Sequence, residues 1–168
     1  FNMVVGFAVQ AAIASTVGIS TLGDDFQLAW SIVTFGSVVF MTLVSSLLVP
    51  HMQQSSGRAA ALGGLWLVPA FGILLSAGQL AFALIFVNRA ELQDMLLLSS
   101  PCIFLASIAS VGQAIAYIQR RFAVAAFGAV ANGCGVFVWL AVRGSINEVD
   151  GAQLGMALTV GYLLQLTA

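Results

Sequence analysis

Long apolar stretches alternate with short clusters of charge along the whole chain, and this alternation is its dominant pattern. The clusters are Asp24-Asp25; Arg58; Arg89 with Glu91 and Asp94; Arg120-Arg121; and Arg143 with Glu148 and Asp150. A charge at a bilayer centre costs about 2.5–3.5 kcal/mol on insertion scales, and about twenty apolar residues span a hydrocarbon core of about 30 Å. The breaks therefore predict six membrane-spanning helices: Phe1 to about Ser20, Gln27 to Val49, Ala59 to Val87, Leu92 to Gln119, Phe122 to Val142, and Ala152 to Ala168. Strands are not expected, because open sheet edges are forbidden in lipid and the alternation of a membrane barrel is absent.

Composition supports this all-α, polytopic reading. The chain is 61% hydrophobic and 7% charged, against about 45–50% and about 25% in soluble domains. A net charge of -1 provides no basic field for nucleic acid. The first segment lacks the basic start of a cleaved signal peptide. The opening Phe, and a close inside an apolar run, lead to the expectation that residues 1–168 form one lobe of a larger chain.

Chemistry-bearing residues are sparse. His51 is the only histidine, and Cys102 and Cys134 lie in apolar helices without neighbouring Cys or His, so no metal site is expected. A Ser-His-Asp arrangement would rest wholly on His51, and neither a nucleophile elbow nor a phosphate loop accompanies it. The expectation is a protein that is not an enzyme and carries no cofactor.

Successive breaks lie on alternate faces of the membrane. The first, third and fifth carry all six acidic residues and two arginines, whereas the second and fourth carry Arg58, Arg120 and Arg121 with no acid. By the positive-inside rule these three mark the cytoplasmic face, and the N-terminus lies inside.

Uncharged polar residues recur along the helices. At about 100° per residue, Gln27, Ser31, Thr34, Thr42 and Ser45 share a face of the second helix with Asp24 nearby, while Asp25 points away. The fourth helix carries Ser110, Gln113, Tyr117 and Arg120, the third Gly72, Ser76 and Gln79, and the fifth Gly128, Asn132 and Gly135. Lipid cannot satisfy such groups, so they face other helices as packing glue or line a hydrophilic groove. Asp24, Gln27, Ser31, Thr34, Gln113 and Asn132 are the candidate groove or gating residues.

Several motifs resemble one family. Gly6-Phe7-Ala8, Val17-Gly18-Ile19-Ser20, Asp24-Asp25-Phe26-Gln27-Leu28-Ala29 and Leu48-Val49-Pro50 resemble the first two helices of the MurJ/MviN-type lipid II flippases of the MOP exporter superfamily. Ser100-Pro101-Cys102-Ile103-Phe104, Arg121-Phe122, Ala125-Ala126 and Asn132 resemble their fourth and fifth helices, and Gly151-Ala152-Gln153-Leu154-Gly155 through Gln165-Leu166 their sixth. The resemblance implies the N-terminal six-helix lobe of a bacterial inner-membrane flippase. Such a lobe would work with a second lobe or partner membrane subunit to move a polyprenyl-linked saccharide by alternating access through the membrane lipid.

Where that family carries groove arginines, this chain has Met3, Val9, Ser15 and Ser37. Two other readings follow from that departure: a transporter-like structural subunit of a membrane complex, and an ion-coupled exporter of small amphiphiles with Asp24 or Asp25 as the coupling carboxylate.

Overall fold

The computed structural model describes residues 2–18, 20–50, 58–144 and 149–167. His51 and Glu148 lie outside the described residues. Six helices follow in order: α1 (Asn2–Thr16), α2 (Thr21–Leu43), α3 (Arg58–Phe86), α4 (Ala90–Ile118), α5 (Phe122–Gly144) and α6 (Gly151–Thr167), with no strand among the described residues. Beyond Leu43, α2 continues into a π-helical turn over Val44–Leu48. Among the described residues, four segments are long and apolar enough to cross a membrane: Thr21–Ser46, Leu65–Phe86, Ala90–Ile118 and Phe122–Arg143. With 15 and 17 residues, α1 and α6 are shorter.

The acidic residues Asp24, Asp25, Glu91 and Asp150 prove to lie at helix starts rather than in gaps between helices, whereas Arg120 and Arg121 lie in a turn and Arg143 in the last turn of α5. Ser20 caps α2 by accepting from the Gly23 amide at 3.3 Å, and Gly18, at φ 68°, supplies the left-handed residue that ends α1. The second helix therefore begins at Thr21, not near Gln27, and takes in Asp24 and Asp25. Glu91 lies likewise in the first turn of α4, and Asp150 caps α6 by accepting from the Gln153 amide at 2.8 Å. Carboxylates at N-termini offset the helix dipole and take up orphan amides, which explains why the acids gather at one end of the bundle.

That end is tied together. Asp25, buried, pairs with Arg89 at 2.6 Å, and Glu91 Oε2 accepts from the Gly151 amide at 2.6 Å. At the opposite end the α4–α5 turn closes with Arg120 N–H donating to the Tyr117 carbonyl at 3.0 Å and Arg121 N–H to Ala116 at 2.8 Å. This pair of hydrogen bonds places Arg120 at the left-handed position usually given to glycine, with φ 58°.

The bundle is organised around α4, which packs against α2, α3, α5 and α6. Its Met95, Leu96 and Cys102 share one buried core with Phe26 of α2 and Leu154 and Leu158 of α6. Pro101 sits inside this helix and removes the amide that would bond the Leu97 carbonyl. Ser100 Oγ donates to that carbonyl instead, at 2.8 Å. The neighbouring carbonyls take donors from other helices: Gln79 Nε2 of α3 reaches Leu96 at 3.0 Å, Thr159 Oγ1 of α6 reaches Leu98 at 2.6 Å, and Ser76 Oγ of α3 bonds Ser100. The polar stripe of α3 is therefore interhelical glue on α4.

Close approach is made by small residues. A Cβ on Gly151 would overlap the Glu91 carbonyl oxygen, and one on Gly155 would lie 2.7 Å from that of Met95, so the GxxxG of α6 is its contact with α4. Gly135 meets Gly161 in the α5–α6 contact in the same way. The outer faces, including Trp66, Leu67, Phe82 and Ile85, are exposed apolar surface suited to lipid.

Gly155→Ala is expected to lower stability by about 1–3 kcal/mol, because the obstructing atom is backbone and cannot swing aside. At Gly78 an added methyl would meet nothing within 4 Å, so Ala should be accepted there with no loss, or with a gain of roughly 0.5–1 kcal/mol. Reversible unfolding of both variants in mixed micelles checks the contrast, and equal effects would contradict the packing described.

Candidate functional site: an uncharged cleft

The C-terminal half of α4 turns from packing to lining. Ser110 and Gln113, one turn apart, face a cleft of about 470 Å³ bounded by α1, α2, α4, α5 and α6. Thr34 and Ser37 enter it from α2, Asn132 from α5, and Tyr162 and Gln165 from α6. Trp30 and Val9 provide apolar wall. None of the cleft's lining residues carries a formal charge.

Most of these groups are already engaged. Ser37 Oγ donates to the Val33 carbonyl at 2.9 Å, so the Tyr162 hydroxyl, which bonds the same oxygen, acts as donor. Asn132 Nδ2 donates to Gln165 Oε1 at 3.1 Å, joining α5 to α6. Ser110 Oγ donates to its own helix at Ala106, 2.8 Å away. Gln113 differs: among the described residues its carboxamide has no hydrogen-bond partner, although it is only 9% exposed. It also borders a second cavity of about 250 Å³, shared with Gly112, Gly128 and Gln165.

Of the residues singled out from the sequence, Thr34, Gln113 and Asn132 come together here. Gln27 does not: it is exposed and its Nε2 donates to Gln10 Oε1 at 2.7 Å, bridging α2 to α1. Ser31 Oγ bonds its own backbone at Gln27, 2.7 Å away. Asp24 is exposed in the first turn of α2, outside the cleft, with no side-chain partner among the described residues. Arg120 and Arg121 are exposed in the α4–α5 turn, and Arg58 begins α3 with its side chain outside the described residues.

Val9 and Ser37, two of the positions where the resembled family carries groove arginines, also line the cleft, while Tyr162 and Gln165 belong to it but do not stand out in the sequence as site residues. The i, i+3 spacing of Thr159, Tyr162 and Gln165 on α6 is the signal that could have found Tyr162 and Gln165. No group of three or more His, Cys, Asp or Glu residues capable of holding a metal gathers among the described residues. No protein-family model, curated protein or solved structure matches the chain, so a functional reading has to stand on the motifs and on this cleft.

If the cleft is hydrated, Thr34→Cys in a background with Cys102 and Cys134 replaced by Ala will react with a membrane-impermeant thiol reagent. Phe35→Cys, on the apolar side of the same helix against Phe71 and Phe82, will not. Labelling at position 35 with protection at 34 would overturn the assignment of faces.

Proposed function

We propose that the chain is one six-helix lobe of an alternating-access flippase in the bacterial inner membrane, moving a polyprenyl-linked saccharide. The observation that carries this reading is the cleft: hydroxyls and carboxamides from α2, α4, α5 and α6 meet in a space otherwise walled by apolar residues, inside a bundle whose outer faces are apolar. The motif resemblance supports the same reading, with all six helices crossing and the Arg58 and Arg120-Arg121 turns on the cytoplasmic face.

A second lobe is part of this proposal. Helix α1 packs chiefly on α5 and is bridged to α2 by the exposed Gln10–Gln27 pair, leaving outward faces of α1 and α2 for a facing partner. Asp24 is the carboxylate free to engage a cation from that partner and hold one side of the cavity shut. Its neighbour Asp25 is already committed to Arg89. A gate of this kind shifts a two-state equilibrium by about 1–3 kcal/mol.

A transporter-like structural subunit is the second reading, favoured by one observation: the cleft offers no cation for a pyrophosphate. The two part on substitution. In proteoliposomes carrying the protein with its partner lobe and a fluorescent polyprenyl-linked saccharide, Asp24→Asn should slow transport about tenfold or more while insertion and folding stay intact. Full activity of Asp24→Asn would remove the gating role, and absence of transport by the unaltered protein would favour the subunit.

A further inference from the structure

The Gln113 side chain is largely buried and bonds nothing among the described residues, with its carboxamide open to the cleft, whereas the fully buried partnerless amide oxygens of the described residues belong to Gln79 and Gln153, neither of which lines it. Both of its donor hydrogens and its acceptor oxygen are unspent, in a helix bundle where the neighbouring Ser110, Ser37, Tyr162 and Asn132 have each committed a donor elsewhere. Thr34, opposite on α2, likewise has a hydroxyl with no partner among the described residues. The free capacity of the cleft is thus mixed, donor and acceptor together, and uncharged.

A phosphate or carboxylate is a poor match, because it offers acceptors only and calls for a cation when removed from water. A hydroxyl both donates and accepts, and a carboxamide can bond two adjacent hydroxyls at once. Trp30 lines the same cleft, and an indole face suits the C–H face of a sugar ring. The volume, about 470 Å³, falls within the range of about 300–1,000 Å³ typical of small-molecule sites.

We infer that this cleft binds an uncharged, hydroxyl-bearing ring, with Gln113 and Thr34 as its polar contacts and Trp30 as its apolar one. The inference deepens the transport reading above: it assigns this lobe to the sugar of the substrate and leaves the phosphate to groups outside the cleft. Gln113 is then a binding residue rather than a packing residue.

The test uses the protein in nanodiscs, with Trp66→Phe and Trp139→Phe leaving Trp30 as the only tryptophan. Decyl glucoside and decyl phosphate share a chain and differ in headgroup, and both are titrated below their micellar concentrations while Trp30 emission is followed. Decyl glucoside should produce a saturable change and decyl phosphate none. Gln113→Met, close in volume, should weaken the glucoside response about tenfold. Should that variant not fold, Thr34→Val, at an exposed position, provides the same comparison.

An equal or tighter response to decyl phosphate, no response to decyl glucoside, or unchanged affinity in a folded Gln113→Met would each overturn the site. The two readings fail separately. Glucoside binding without transport keeps the site and removes the flippase, whereas transport by a protein that does not bind the glucoside removes the site alone.

Discussion

A proline in the middle of the central helix of a membrane bundle leaves a backbone carbonyl without its amide, in a place where water cannot supply a replacement. Pro101 in α4 is that residue, and much of the bundle follows from how the surrounding carbonyls are satisfied. Ser100 takes the orphan itself, while Ser76 and Gln79 tie α3 to the same turn and Thr159 ties α6. In lipid the hydrophobic effect does not hold helices together, so such bonds and the close glycine contacts carry the association. The glycines of α6 bring it near enough to α4 for Thr159 to reach Leu98.

The two halves of α4 consequently have different tasks. Before and around Pro101 its polar neighbours are consumed in holding helices. After it, Ser110 and Gln113 face an open space that α2, α5 and α6 also supply with polar groups. Gln79 and Gln113 are the same residue type, both largely buried, yet the first donates to a carbonyl and to Ser99 while the second bonds nothing described. Their difference is positional: α3 packs closely on α4 at Gly72 and Ser107, whereas Gln113 opens onto the cleft.

The helices were legible in the sequence because charge is excluded from hydrocarbon, and Arg58, Arg89 and Arg120-Arg121 mark the turns. Their starts were less legible. Asp24 and Asp25 read as a gap, but a carboxylate stabilises the first turn of a helix, so the cluster belongs to α2. Periodicity placed Thr34, Gln113 and Asn132 on the shared cleft. It placed Gln27 and Ser31 on the same stripe, and these are spent on Gln10 and on the helix backbone. Residue type and angle do not reveal whether a hydroxyl bonds its own helix. The tie between Asp25 and Arg89 was hidden for a similar reason, since it depends on where the α3–α4 corner meets the start of α2.

The dependence of the bundle on the Pro101 turn is open to a direct measurement, a double-mutant cycle of Ser100→Ala and Pro101→Ala by reversible unfolding in mixed micelles. In the native background Ser100→Ala leaves the Leu97 carbonyl without a donor and should cost about 1–2 kcal/mol. With Pro101→Ala the helix recovers its own amide for that carbonyl, so the same serine substitution should cost close to nothing, a coupling of about 1 kcal/mol or more. An equal cost of Ser100→Ala in both backgrounds would show that the missing amide is not what the hydroxyl replaces, and would contradict the dependence of the bundle on this turn.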